Sequence, residues 1–335
     1  MLLRIVAALC LMTAPAMAKT QIKFTLDWRY QGIHAFVFWA KEKGYFEREG
    51  LDVQIDQGEG SAATITRIAS GAYDAGLGDV NAIVQLAAKG GASAPIMTYM
   101  LYNSAPFALI VRKDSPIKSL KDLEGKKLGT PAGAAAGALL PALAAKNGFD
   151  PKKITIVNMS PNLQEQMLLQ GQVDVSAVFS VTSYINMTSM GIDPEKDLRW
   201  FMYSDFGVPL YSNGLMVSRK LAAENPKAVE GLTRAISRSL IEVAKSPDEA
   251  ISLLMKIEPL LNRKGEFMRL EYALKTHFIT EETDRNGMGS IDEGRMKNAI
   301  GMLVEVYALP RTPAVSEIFD SRFLPPASDR QLKRK

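Results

Sequence analysis

Asp27, Trp28 and His34 are the first side chains in this sequence whose types and spacing suit molecular recognition. An indole can stack on a flat heteroaromatic ring, worth about 1–3 kcal/mol by analogy with nucleic-acid bases. The alternative for Trp28 is a surface tryptophan packed under a loop. Asp27 either accepts hydrogen bonds from ring amines or caps the turn after its strand. His34 is either a hydrogen-bonding group at a cleft or a packing residue at a helix start. Gly58-Glu59-Gly60-Ser61 is a glycine turn in which Glu59 faces solvent or bonds a ligand amine, while Ser61 is placed to cap a helix over residues 62–70. Asp79 and Asn81 follow a short strand. Residues 131–137, with Gly133 and Ala134 in their midst, form a small-residue turn opening a helix. Bare backbone amides there can hold an anion or carboxylate, but the turn has no hydroxyl or arginine, which argues against a strongly anionic ligand. Tyr102, Asn103, Phe179, Tyr184, Tyr211 and Asn213 follow strands or flank crossovers. Aromatics and amides in one cleft suit a planar, largely neutral ligand.

Catalytic chemistry is poorly supplied. Two histidines and one cysteine leave almost no stock for a zinc site, a cysteine nucleophile or a disulfide framework. No G-x-S-x-G, P-loop or H-E-x-x-H pattern occurs. A binding protein without metal or cofactor is expected, not an enzyme.

The elements that must position these residues fit a chain of about two domains. It has 335 residues, 47% of them hydrophobic and 23% charged, as in ordinary globular proteins. The net charge, 40 − 36 = +4, is spread along the chain, and its dense basic cluster is residues 330–335, so a nucleic-acid partner has little support. Residues 1–18 carry Arg4, an apolar stretch through Met12, and Ala16-Met17-Ala18 before Lys19. That is the pattern of a secretory signal peptide cut after Ala18. The apolar run is too short to span a bilayer of about 30 Å. Cys10 lies inside it, after Leu9, which argues against a lipid-acceptor cysteine. The remaining chain has no cysteine, which suits a soluble periplasmic protein.

Beyond Lys19, short strands alternate with helices. Strands are expected at residues 21–26, 51–56, 75–78, 95–101, 108–111, 127–130, 154–157, 173–179 and 214–218, with mostly helix from 221 to 307. Such alternation implies parallel sheets with helices on both faces. Two α/β units with a helical return imply a bilobed α/β protein with two crossovers. The expected division is 19–106 plus 213–320 as one lobe, 107–212 as the other, and 321–335 as a C-terminal tail. Ligands of open α/β sheets bind beyond the carboxyl ends of the strands. The segments to watch are therefore 27–34, 58–61, 79–81, 102–104, 130–137, 179–184 and 211–213.

Several blocks also carry a resemblance. They are Leu26-Asp27-Trp28, His34-Ala35, Ala40-Lys41-Glu42-Lys43-Gly44-Tyr45-Phe46 and Glu49-Gly50-Leu51-Asp52-Val53, followed by Gly71-Ala72-Tyr73-Asp74, Ser119-Leu120-Lys121-Asp122-Leu123-Glu124-Gly125-Lys126, Gly171-Gln172-Val173-Asp174 and Asn225-Pro226-Lys227-Ala228-Val229. The chain resembles the periplasmic solute-binding proteins of ABC transporters related to thiamine-pyrimidine precursor synthases, whose wider superfamily binds taurine, sulfonates, nitrate or riboflavin. The resemblance implies a type II periplasmic-binding-protein fold, a small-molecule ligand, a membrane permease as partner and a monomeric chain. The Leu-Asp-Trp and His-Ala blocks are typical of the pyrimidine-precursor branch. Arg29-Tyr30-Gln31-Gly32 replaces the asparagine- and proline-rich stretch usual between them, leaving room for another aromatic or for a carboxylate met by Arg29. The eukaryotic synthases of this superfamily consume their own active-site histidine and use a pyridoxal phosphate lysine beside a cysteine-rich motif, and no such motif exists here.

Overall fold

The computed structural model describes residues 18–332; the expected leader, residues 1–17 of it, lies outside them. The described residues form ten strands: β1 Thr20–Thr25, β2 Leu51–Asp56, β3 Ala75–Asp79, β4 Ile96–Met100, β5 Phe107–Arg112, β6 Lys127–Thr130, β7 Thr155–Asn158, β8 Val175–Phe179, β9 Leu198–Met202 and β10 Asn213–Val217. They make two five-stranded sheets, ordered β2-β1-β3-β10-β4 and β7-β6-β8-β5-β9.

Both sheets are mixed, where parallel ones were expected. In the first, β1 runs parallel to β2 and β3, while β10 is antiparallel to β3 and β4. In the second, β6 is parallel to β7 and β8, while β5 is antiparallel to β8 and β9. In each sheet the reversed strand, β5 or β10, is the one that directly follows a crossing from the other sheet. All five residues of β10 are buried, so its pattern has no polar–apolar alternation to show which way the strand points.

The repeated glycine–aspartate blocks have the same task in both sheets. Asp74 Oδ2 accepts from Lys23 N at 2.8 Å, and Asp174 Oδ2 accepts from Lys127 N at 2.8 Å. The Asp74 and Asp174 amides donate to the Lys23 and Lys127 carbonyls, each at 2.9 Å. Each aspartate thus joins its own strand to the neighbouring one just before the parallel ladder begins.

The chain crosses between the sheets through residues 101–106 and 203–212, and the two crossings hold each other. Leu101 N and Tyr102 N donate to Asn213 O at 3.2 and 2.9 Å, and Ser212 N donates to Tyr102 O at 3.2 Å. Helix Pro226–Lys245 covers the first sheet. Its buried Val229, Leu232, Ile236, Leu240 and Val243 recur at helical spacing, Asn225 caps it onto Ala228 N at 3.2 Å, and Pro226 occupies its first turn.

Three further features differ from the sequence reading. Gly60, not Ser61, is the cap of helix Ser61–Ala69, and Ser61 starts the helix itself. Helix Ser180–Ser189 and strand β9 were not foreseen; the helix is rich in serine, threonine and β-branched residues, whose propensity is weak. Residues expected as a tail fold back instead. Arg330 is buried, donates to Pro325 O at 2.7 Å and to Met288 O, and accepts through its carbonyl from Met288 N. Among the described residues no helix is long and apolar enough to cross a membrane.

Candidate functional site

The carboxyl end of β1 leads straight into a cavity between the two sheets. Asp27, Trp28, Gln31, Ile33, Gly60 and Ser61 line it from the first. From the second come residues 134–136, Gln164, residues 177–179, Thr182 and Ser183.

Asp27 anchors a buried network. Its Oδ2 accepts from Asn213 Nδ2 at 2.6 Å, and its Oδ1 lies 3.1 Å from His34 Nε2. His34 Nδ1 accepts from Gln31 N at 3.2 Å, so Nδ1 carries no proton and the Nε2–H donates to Asp27. Asn213 Oδ1 in turn accepts from the hydroxyls of Ser212 at 3.1 Å and Ser61 at 3.5 Å. The network ties β1, the turn after it and the returning strand β10 into one rigid wall. It leaves Asp27 as the charged side chain on that wall.

Trp28 is half-buried beside Asp27. The loop opposite is held by Gly60 N donating to Asp27 O at 2.8 Å and Gly58 N donating to Trp28 O at 2.9 Å. Both glycines are required. A Cβ on Gly58 would lie 2.0 Å from Leu26 O, and Gly60 has φ +122. Gly60 also faces the other lobe: a Cβ there would lie 3.4 Å from Gly133 O and 3.8 Å from the Trp28 ring. Two hydrogen bonds cross the cleft near this point. Ala62 N donates to Gly133 O at 3.5 Å, and Thr182 Oγ1 donates to Gln31 Oε1 at 3.3 Å.

The second wall is almost uncharged. Residues 131–137 open a helix of four residues, Ala135–Ala138, capped by Ala134. Gln164 Nε2 donates to Ala177 O at 2.6 Å, and Ser183 Oγ donates to Glu165 Oε1 at 2.6 Å. No lysine, arginine or histidine is among the lining residues; Asp27 is the charged one.

Of the residues singled out in the sequence, Asp27, Trp28, Ser61, Ala134 and Phe179 line the cavity, and His34 and Asn213 brace Asp27 from behind. Gly133 meets the first lobe beside the cavity. The others lie elsewhere. Glu59 is exposed and sits 3.5 Å from Arg67. Asp79 is buried and accepts from Asn81 N and Nδ2 at 2.6 and 2.7 Å, with Asn81 also donating to Tyr211 O at 2.8 Å. Burial pushes the Asp79 carboxyl up to about 7. Tyr102 packs edge-on against Phe278 at 4.7 Å, deep in the crossover. Tyr211 donates to Glu282 at 2.5 Å, and burial, first, raises its hydroxyl pKa. Tyr184 stacks on Tyr272 at 5.0 Å and donates to Glu195 at 3.1 Å. Gln31, Ile33, Gln164, Thr182 and Ser183 line the cavity without having been chosen. Four of the five fall within or beside the segments that follow strands; Gln164 starts the helix after β7.

The model of the NMT1/THI5-like family matches residues 31–250. The chain belongs to that family. Among curated relatives, a Haemophilus influenzae protein named for thiamine biosynthesis is 28% identical over 74% of this chain and 77% of its own. The riboflavin-binding protein RibY of Chloroflexus aurantiacus is 26% identical, covering 86% and 82%. A formylaminopyrimidine-binding protein of Halalkalibacterium halodurans is 24% identical, covering 70% and 69%. A Schizosaccharomyces pombe 4-amino-5-hydroxymethyl-2-methylpyrimidine phosphate synthase is also 24% identical, covering 69% and 68%. Among solved structures, the MOPS-bound alkanesulfonate-binding protein SsuA of Xanthomonas axonopodis superposes with TM-score 0.67 at 16% identity, over 91% of this chain and 99% of that one. The nitrate-binding protein NrtA of Synechocystis superposes with TM-score 0.63 at 14% identity, over 91% and 87%. This member of the NMT1/THI5-like family therefore has the two-lobed α/β fold of periplasmic binding proteins.

Proposed function

We propose that this protein captures a small planar nitrogen heterocycle of the thiamine-precursor type between its lobes and delivers it to the permease of an ABC importer. The observation that carries the reading is the cavity wall: an indole and one braced carboxylate, with no cationic side chain among the lining residues. Trp28 offers a face for a ring, and Asp27 has lone pairs for ring or exocyclic amines. Sulfonate and nitrate would bring a full negative charge to a site whose one charged residue is an aspartate. That burial without a counter-ion is costly. The formylaminopyrimidine-binding relative supports the ligand class.

The reading is non-catalytic. The synthases named above share the family, but the superfamily's pyridoxal phosphate chemistry needs a lysine for the aldehyde and cations or a helix terminus for the phosphate. The lining residues include no lysine or arginine, and the helix facing the cavity through residues 134–136 is four residues long, so the group does not fit here. Chain sections before Lys19 support export to the periplasm, and a monomer suffices because both walls come from one chain.

Calorimetry with an N-formylated aminomethylpyrimidine tests the proposal. Wild type binds it and returns it unchanged, and Trp28→Ala binds at least about tenfold more weakly. Equal affinity in both proteins would remove Trp28 from the site. Binding of taurine or nitrate in place of the pyrimidine would overturn the ligand class.

A further inference from the structure

One helix touches both walls of the cleft. Helix Arg263–Ala273 continues into a π-helical turn, Leu274–Phe278, and packs against the turn Gly32–His34 on one side and helix Ser180–Ser189 on the other. Towards the first wall, Glu266 Oε2 accepts from Gly32 N at 2.6 Å. The fit is close, since a Cβ on Gly32 would lie 2.1 Å from Glu266 O. Towards the second wall, Arg269 Nη1 donates to Val181 O at 3.2 Å and Thr182 O at 2.8 Å, and Nη2 donates to Asn186 Oδ1 at 3.0 Å. Arg269 Nε donates back to Glu266 Oε2 at 3.0 Å. Both side chains are buried, with Glu266 6% and Arg269 3% exposed.

The residues gripped are neighbours of the lining ones. Gly32 lies between Gln31 and Ile33, and Thr182 itself lines the cavity. The apolar packing points the same way. Leu270, Ala273, Leu274 and Phe278 belong to the core of the first lobe, and Val181, which follows β8 of the second sheet, packs within that same core. His277 adds a further tie, with Nε2 3.0 Å from Ser180 Oγ and Nδ1 3.1 Å from Ser104 O.

We propose that Glu266 and Arg269 form a positioning pair that holds the two cleft walls in the closed arrangement without touching the ligand. The proposal rests on the interlobe cavity being the solute site. If the second lobe swung away, Arg269 would lose its three bonds to helix Ser180–Ser189. Glu266 would still accept from Arg269 Nε and Nη2, but Nη1 left buried without its acceptors is unfavourable, so opening must also hydrate it. A ligand that selects the closed state then finds that state already populated, and its apparent affinity is raised by the same fraction.

Small-angle scattering of the ligand-free protein tests this, because closure is read without any ligand. The variant Glu266→Leu with Arg269→Met replaces the buried ion pair by apolar groups of similar length, an exchange folds commonly tolerate. Arg269→Lys keeps the charge but replaces the fork by a single ammonium. The double variant is expected to show a larger radius of gyration than wild type, with Arg269→Lys in between. Affinity for the formylated pyrimidine should fall about tenfold or more, chiefly through faster dissociation. Circular dichroism controls for folding, and if the double variant does not fold, Arg269→Lys alone decides by the same scattering comparison. An unchanged radius of gyration would overturn the proposal. If wild type binds no pyrimidine, the functional reading falls, while the scattering result still decides the pair.

Discussion

Asn213 and His34 both point a donor at Asp27, which makes Asp27→Asn an unusually readable change. The new amide has one acceptor, and two buried donors compete for it: His34 Nε2–H at 3.1 Å and Asn213 Nδ2–H at 2.6 Å. His34 cannot adapt by changing tautomer, because its Nδ1 already accepts from Gln31 N. Asn213 can adapt by flipping its amide, since the hydroxyls of Ser61 and Ser212 around it accept as readily as they donate. Asp27→Asn therefore keeps both contacts and loses only their charge assistance, about 1–2 kcal/mol in total. Asp27→Ala orphans two buried donors, at about 1–3 kcal/mol each. In urea melts at neutral pH the alanine variant should therefore lose roughly twice the stability of the asparagine variant or more. In a double-mutant cycle, Asp27→Asn and Asn213→Ala should couple by about 0.5–3 kcal/mol. Equal losses for asparagine and alanine, or strict additivity with Asn213→Ala, would refute the network as drawn.

Three further outcomes are open to measurement. Gly60→Ala forces a side chain onto φ +122 and against Gly133 O, and should cost about 1 kcal/mol or more in urea midpoint while weakening ligand binding. Acid stability should show two opposed groups. Burial lowers His277 to about 4, so its contribution is lost as pH falls from 6.5 towards 4, while burial raises Asp79 to about 7, so its contribution grows as pH falls from 7 towards 3.8. Asp79→Asn should consequently make the loss of stability on acidification steeper, and His277→Gln should make it shallower; urea midpoints between pH 7 and 4 that respond in the reverse sense would reject the assignment. N-terminal sequencing of periplasmic material should begin at Lys19, and a start at Met1 would contradict export by a cleaved leader.

Much of this protein could be read before any coordinates. The alternation of Leu51-Asp52-Val53-Gln54-Ile55-Asp56 coincides with β2, Lys127-Leu128-Gly129-Thr130 with β6, and the glycine turns fall where positive φ or close backbone approach requires them. These are local properties: side-chain period, turn chemistry and cap preference act within a few residues. Strand direction is not local. Nothing within Asn213–Val217 records that it returns from the other sheet, and so the mixed topology was missed. The order of residues along the chain also placed the right loops at the strand ends but could not say which way their side chains turn. Trp28 and Phe179 turn into the cavity, whereas Tyr102 and Tyr211, equally aromatic and equally placed after or before strands, are consumed in the crossover by Phe278 and Glu282. Gln31, Thr182 and Ser183 became cavity residues because helix Arg263–Ala273 brings the Gly32 turn and helix Ser180–Ser189 together. That contact joins residues more than half the described chain apart on one side, and only packing of the whole chain can decide it.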